Sequence, residues 1–313
     1  MRAVVVRAVG GPEVLEVVEV PVPVPGVGQV RIRVEAAAVN PVDAATRSGG
    51  LVEAGLMAPR DVIGIGWDVA GVVDEVGSGV SAFVAGERVI GVRDRLDLPL
   101  GTYAEYVVLD VGAVAVAPAG PSPVEAATLP LNGLTALQAL DLLGTGPGGT
   151  LLVTGAAGAV GGFAVELAVL RGLRVVACAA DADEAYVRGA GARWFVPRSA
   201  GPGLAEAVRD LVPGGVDAAL DAAAVGLAAL GAVRSRGAFV SVVGGAAPVP
   251  LRGITVREQW IAADAHALAG LSSLAGTGAL TPRVAGTLPL HEAGRAHRLL
   301  AEGGLRGRLV LVP

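Results

Sequence analysis

The sequence predicts an α/β protein of two domains. One is β-rich and assembled from both ends of the chain, and the other is a doubly wound parallel sheet inserted between them. Three observations predict it. Short β-type runs broken by Gly, Pro and Asp fill residues 1 to about 115. From about 117, strand-like and helix-like runs alternate. The tail LRGRLVLVP at 305–313 then returns to the β-rich character of the first region. The expected division is 1–118 with 280–313 for the first domain and 119–279 for the second.

The first domain opens with RAVVVRA at 2–8. In VRIRVEAAAV at 30–39, Arg31, Arg33 and Glu35 alternate with Ile32 and Val34, the period of a half-buried strand. VAGVVDEVG at 69–77, RVIGV at 88–92 and AEYVVL at 104–109 follow. Breaks at PVPVPGVGQ (21–29), GSG (77–79) and AGE (85–87) keep the runs short, as in a compact antiparallel barrel or sandwich. At 117–130, APAGPSPVEAATLP changes the pattern: Ser122, Pro123 and Glu125 read as an N-cap, a first-turn proline and a first-turn acid. A helix at 133–144, the strand LLVT at 151–154, a helix at 160–171, the strand RVVACA at 174–179 and a helix near 182–190 follow. Further strands are expected at 216–222 and 238–244, and a helix at about 290–302 precedes the tail. Such alternation implies a parallel sheet covered on both faces.

The 313 residues are 53% hydrophobic and only 3% aromatic, so the core must be Val, Leu and Ala. All 24 residues counted as Lys+Arg are Arg. Schiff-base chemistry, a catalytic lysine and a phosphate-loop lysine are therefore excluded. A net charge of −5 with no basic run argues against nucleic acid as a partner. The single cysteine, Cys178, rules out an intrachain disulfide and fits a reducing compartment. The N-terminus reads as strand, turn, strand rather than as a signal peptide. The most apolar window, 150–170, carries Glu166 and several glycines and makes a poor membrane span. These features predict a soluble, cytoplasmic protein with no membrane partner.

The stretch VTGAAGAVGG at 153–162 places glycines at 155, 158 and 161 directly after the run Leu151, Leu152, Val153. Strand, glycine turn and helix start are the parts of a dinucleotide site, with the pyrophosphate at the helix N-terminus. Gly155 would allow the tight turn, Gly158 the approach of backbone to diphosphate, and Gly161 close packing of helix on strand. Ala159 and Val160 would open that helix.

This motif and AATLPLNGLTALQAL at 126–140 resemble the zinc-independent quinone oxidoreductase branch of the medium-chain dehydrogenase/reductase superfamily. VNPVDAATRSG at 39–49, GWDVAGVVDEVGSGV at 66–80, GTYAEYVVL at 101–109 and the segment 290–313 are similar to that branch too, in the same order. The resemblance implies a GroES-like catalytic domain plus a Rossmann domain, with the active site in the cleft between them. It implies a pocket lined by Asn40, Asp43, Arg47, Trp67, Asp68 and Thr135, with Tyr103 a further candidate, and shaped by the loop at 49–61. Asn40, Asp43, Trp67, Asp68 and Tyr103 are the catalytic candidates. Asn40 and Thr135 would hydrogen-bond the nicotinamide ribose or carboxamide. The remaining expected cofactor contacts are Gly155, Gly158, Ala159, Val160, Gly161, Ala180, Asp181, Arg198, Val243, Gly244 and Arg308.

No metal is expected. No cysteine precedes Cys178, Gly66-Trp67-Asp68 stands where zinc relatives carry Gly-His-Glu, and the three histidines are His266, His291 and His297. His291 and His297 are expected to be exposed around a polar helix start. Without a metal, the acceptor must already be electron-poor: a quinone, or the β-carbon of an enone. Some relatives carry a proton-donating tyrosine on the 39–49 loop, where this chain has Pro41, Val42, Ala44 and Ala45. Solvent or Tyr103 would then protonate the product. A biosynthetic enoyl reductase acting on a bulky enone is the alternative within the fold, and a non-catalytic NADPH-binding sensor or structural protein the alternative outside enzymes. The tip of the second nucleotide-domain strand is Ala179-Ala180, with Asp181 beyond, then Asp183 and Glu184. Asp181 would favour NADH by holding a 2′-hydroxyl. Arg198 would favour NADPH by holding a 2′-phosphate, and NADPH is the expected cofactor, with NADH possible. A homodimer is expected through ITVREQWIAAD at 254–264, where Trp260 and Ile261 mark an apolar edge.

Overall fold

A computed structural model describes all residues, Met1–Pro313. The chain forms two compact units, Met1–Leu131 with Ala262–Pro313, and Asn132–Ile261.

In the first unit, strand β1 (Arg2–Val6) pairs antiparallel with β2 (Glu16–Glu19). The long β3 (Gln29–Val39) leads into helices α1 (Pro41–Ser48) and α2 (Gly50–Glu53). The short β4 (Ile63–Gly64) completes the three-stranded sheet with β1. Strands β5 (Asp68–Val76) and β7 (Tyr106–Asp110) pair with β3, β6 (Arg88–Val92) and β8 (Val114–Val116) extend the sheet beyond β5, and helix α3 (Pro123–Ala126) follows. The alternation read from the sequence holds in β3: Val30, Ile32, Val34 and Ala36 are buried. It then ends, because Ala36–Val39 are all buried and deliver Asn40 into the interior.

Helix α4 (Pro130–Leu143) spans the division between the units. The second unit is a six-stranded, all-parallel sheet. Its elements are β9 (Thr150–Thr154), α5 (Ala159–Leu170), β10 (Arg174–Ala179), α6 (Glu184–Gly189), β11 (Trp194–Pro197) and α7 (Leu204–Leu211), then β12 (Val216–Asp221), α8 (Leu227–Ala232), β13 (Val233–Ser241) and β14 (Thr255–Glu258). The spatial order β11-β10-β9-β12-β13-β14 is the doubly wound 3-2-1-4-5-6 arrangement, with its switch point between β9 and β12. Core strands this apolar are buried on both faces, as β9 is throughout its length.

The chain then returns to the first unit through α9 (Ala265–Gly276), β15 (Val284–Pro289), α10 (Ala293–Glu302) and β16 (Arg308–Val312). The tail therefore does rejoin the first region: β16 runs antiparallel to the end of β3, with Leu309 opposite Val39.

The divisions fall later and earlier than the expected 118/119 and 279/280. The Ser122 cap forms as expected, with Ser122 N–H donating to Glu125 Oε2 at 2.8 Å. Its helix α3, however, packs on β3 and β5 rather than opening the parallel sheet. Helix α9 buries Leu268, Leu271 and Ala275, and Ser272 Oγ donates to Val116 O at 2.7 Å, which ties it to β8. Tertiary packing, not helix signals, set both boundaries.

Candidate active site

In the first unit, Asn40 follows β3 and caps α1, with Pro41 at the first helical position. The spacing Asn-Pro-Val-Asp brings the Asp43 carboxylate back over the cap, where Oδ2 accepts from Asn40 N at 2.7 Å. Both residues are fully buried. Asn40 Nδ2 donates to Asp68 Oδ2 at 2.7 Å, and Asp68 Oδ1 accepts from Leu131 N at 2.6 Å. Asp68 is thus held by an amide and a backbone donor and not by Arg47.

A directional chain of hydrogen bonds ends on Asp43. Arg47 Nη1 lies 3.1 Å from His297 Nδ1, His297 Nε2 lies 3.4 Å from the Tyr103 hydroxyl, and that hydroxyl donates to Asp43 Oδ2 at 3.1 Å. Arginine has no acceptor, so His297 Nδ1 must accept, Nε2 must carry the ring proton, and the ring must be neutral. Burial and the Arg47 charge hold the His297 pKa down to about 4. Tyr103, fully buried beside Asp43, is raised well above an ordinary phenol, first by burial and then by that carboxylate. Burial likewise raises Asp43 and Asp68 to about 7, against hydrogen bonds that favour their charged forms. Asp43 Oδ1 and Trp67 Nε1 are buried with no hydrogen-bond partner. Arg308, at the start of β16, is half-buried and acts electrostatically on Asp68, Asp43 and Tyr103.

The expectation that His297 is exposed is corrected here: it is 1% exposed, whereas His291 is exposed. Ala293, Ala296 and His297 form the buried face of α10, a spacing that puts them on one side of a helix.

In the second unit, the glycine turn joins β9 to α5 beside the switch point. Gly155 has φ +58°, a left-handed conformation that glycine adopts at little cost. A Cβ on Gly161 would fall on the Gly155 carbonyl, so this glycine is required for α5 to approach the strand. Gly158 caps α5 with an ordinary φ of −76°. A Cβ there would meet only Gly155 O, at 3.1 Å, and otherwise open space. The first N–H groups of a helix have no partner within it, and those of α5 belong to Ala159, Val160 and Gly161. At the switch point, Asp221 Oδ1 accepts from Thr154 Oγ1 at 2.5 Å, and Oδ2 accepts from Gly226 N at 2.8 Å.

Ala180 follows β10 and leads into a 3₁₀ turn that starts at Asp181, which is exposed. The parallel register sets Ala179 opposite Pro197, so Arg198, also exposed, emerges next to Ala180. Val243 and Gly244 follow β13 and are exposed, with Trp260 packed over Gly244. Thr135 is buried in α4. Gly155, Gly158, Ala159, Val160, Gly161, Ala180, Asp181, Arg198, Val243 and Gly244 thus all follow the carboxyl ends of parallel strands, the edge where such sheets bind ligands. Arg308 belongs to the first unit and acts electrostatically on its carboxylates.

No group of three or more His, Cys, Asp or Glu side chains is placed to hold a metal ion. Cys178 is buried in β10, its thiol raised to about 11 by burial and Asp221. His297 uses both ring nitrogens, and His266 and His291 are exposed. These donors do not fit a zinc site. No helix is long and apolar enough to cross a membrane.

The fold defines an α/β protein with a Rossmann-type parallel-sheet unit and a GroES-like β-rich unit. Residues 26–119 match the family described as the alcohol dehydrogenase GroES-like domain, and residues 190–311 the family described as zinc-binding dehydrogenase. A solved structure described as an NAD-dependent alcohol dehydrogenase is 34% identical, with a TM-score of 0.88 and full coverage of both chains. A mycobacterial protein solved with NADPH is 31% identical, with a TM-score of 0.85 and full coverage of both. An Arabidopsis thaliana chloroplast envelope quinone oxidoreductase homolog is 41% identical over 190 residues, 58% of this chain and 56% of that protein. A 2-methylene-furan-3-one reductase from Solanum lycopersicum is 33% identical over 226 residues, 70% of this chain and 56% of that protein. The chain thus matches about half the length of these curated relatives. It belongs to the medium-chain dehydrogenase/reductase superfamily, with quinone oxidoreductases among its relatives.

Proposed function

We propose that the chain is an NADPH-dependent oxidoreductase that passes hydride to a quinone or an α,β-unsaturated carbonyl compound without a metal. The observation that carries this reading is the glycine turn. Gly155 and Gly161 are demanded by the fold, but Gly158 is not, and its open side fits a diphosphate laid on the start of α5. The bound nicotinamide would supply the hydride. Arg198 beside Ala180 supports NADPH, because a guanidinium fork suits a 2′-phosphate. Asp181 one step away is the feature that would favour NADH. The poor fit of the cysteine and histidines to zinc supports an acceptor that needs no Lewis acid.

Asn40 and Asp68 hold each other, and Asp43 and Tyr103 are locked by the chain from Arg47. On this reading they fix a rigid polar floor, and solvent protonates the product. The cytoplasmic setting and the homodimer expected from the sequence remain part of the proposal.

The test is a panel of quinones and enones monitored for loss of reduced-nicotinamide absorbance, with chelator present and absent and with elemental analysis of the protein. Turnover that survives chelation, with no stoichiometric zinc, supports the reading. Tight cofactor binding without turnover of any acceptor would favour a non-catalytic nucleotide-binding role. About one tightly bound zinc per chain would overturn the metal-free mechanism.

A further inference from the structure

Arg93 follows β6, and its backbone N–H donates to Trp67 O at 2.7 Å. It is 3% exposed. A guanidinium buried this far is normally paired with an anion, because removing a charge from water is costly. Arg93 has no ion pair. Its one side-chain hydrogen bond runs from Nη2 to Leu98 O at 2.6 Å, and its Nε is buried without a partner. Arg60, half-buried at the end of the 49–61 loop, donates from Nη1 to the same carbonyl at 3.0 Å. Two guanidinium groups therefore converge on one neutral acceptor, and Arg93 Nε is left buried without a partner.

The nearby carboxylates act on this charge only at a distance. Asp97 acts electrostatically on Arg93 and Arg60, but its hydrogen bonds go to Arg95, from Nε at 3.1 Å and Nη2 at 2.6 Å. Asp94 Oδ2 accepts from Ala263 N at 2.7 Å. Asp43 acts on Arg93 electrostatically, but it already receives Asn40 N and the Tyr103 hydroxyl. Burial first, and then the Arg60 charge, lower the Arg93 pKa to about 10.

We propose that Arg60 and Arg93 are the anion-recognising end of the substrate site, and that the substrate is a conjugated carbonyl compound bearing a carboxylate. The planar fork of an arginine matches a carboxylate bidentately, and two forks around one carboxylate would use the donor left idle on Arg93. Trp67 and Asp43, both in the candidate site, border Arg93 and place this end beside it. The proposal rests on the reductase reading and names its substrate class.

The experiment compares 4-oxopent-2-enoate with its methyl ester, the same enone with and without the charge. The readout is the acid-to-ester ratio of kcat/KM. The wild type should favour the acid. Arg60→Gln should lower the ratio at least roughly tenfold, mainly through the KM of the acid, as expected for loss of a hydrogen-bonded charge partner. Arg93→Gln should do the same. If Arg93→Gln does not fold, Arg60→Gln, on a partly exposed loop, carries the test alone. An unchanged ratio, or a wild type that prefers the ester, overturns the proposal. If neither compound is turned over, the reductase reading has failed for this enone, and calorimetric titration with 4-oxopent-2-enoate decides the anion site separately. Binding that is lost in Arg60→Gln sustains the site, and no binding to the wild type overturns it.

Discussion

The three glycines of the β9–α5 turn should respond to a side chain in three different ways. In Gly161→Ala the new Cβ meets the Gly155 carbonyl and the Ala156 backbone, neither of which can rotate away. Relief requires moving α5 off β9 and so loosening the packing of Phe163, Ala164 and Leu167. Overpacking of this kind costs about 2–3 kcal/mol. For a unit of this size that is a fall in Tm of roughly 5–10 °C. Gly155→Ala forces alanine to φ +58° and brings Cβ to 3.2 Å from Ala222 O and the Ala223 Cβ. The left-handed conformation alone costs about 1–2 kcal/mol.

Gly158→Ala keeps φ −76°, which any residue adopts, so only the poorer N-cap counts, about 0.5–1 kcal/mol. Gly158→Val should likewise keep the fold but lose affinity for the cofactor, by about tenfold or more, which is ~1.4 kcal/mol. Thermal melts read the stability order, and titration with NADPH reads the affinity. A Gly161→Ala protein as stable as wild type would refute the packing argument. Unchanged NADPH titration in Gly158→Val would show that the diphosphate lies elsewhere.

Arg198→Ala should raise the KM for NADPH several-fold and leave NADH nearly untouched; equal effects, or a wild type that prefers NADH, would show that Asp181 governs the choice. His297→Gln should cost about 1–3 kcal/mol at neutral pH, by disturbing bonds to Arg47 and Tyr103. That cost should depend on pH. The ring titrates near 4 in the fold against 6.5 ordinarily, so the unfolded chain binds the proton first as pH falls. The ring's contribution is complete above 6.5 and is lost as pH falls towards 4, so the substitution should cost about 2 kcal/mol less at pH 5 than at pH 7.5. A difference between the two proteins that does not change with pH in urea titrations would show that His297 is not held neutral. Light scattering at micromolar concentration should give a dimer, since β14 is the edge of the sheet and Trp260 is 50% exposed; a monomer would refute it.

Much of the fold was legible because its signals are local. The glycine turn, the alternation in β3 and the Ser122 cap each depend on residues within a few positions of one another. The unit boundaries were not, because α3 and α9 carry ordinary helix patterns whose partners, β3, β5 and β8, are remote in sequence. The candidate site divides in the same way. Asn40 and Asp43 are linked by a three-residue spacing that the sequence displays. The burial of Arg93 follows from the strands around it, and nothing in RVIGVRD separates it from a surface arginine. The burial of His297 was the readable miss. Its spacing from Ala293 and Ala296 places it on the apolar face of α10, but the polar residues around it suggested solvent.

The direction of the buried chain limits what these residues can do. Arg47 can only donate, which fixes the His297 proton on Nε2, and this in turn fixes the Tyr103 proton towards Asp43. Tyr103 therefore cannot release its proton to a product unless Asp43 loses a partner and His297 replaces the proton from the far side. A phenol raised well above its ordinary pKa resists that release. The one member whose state remains open is Asp43, titrating near 7 with Oδ1 unpartnered. Its native pKa lies above the ordinary 3.8, so it disfavours folding as pH rises between those values. His297 acts in the opposite sense over most of that range. His297 thus offsets one of the two raised carboxylates, Asp43 and Asp68, whose charges both change near neutral pH. Under the proposed reduction, Tyr103 would then be a positioning residue and solvent the proton source.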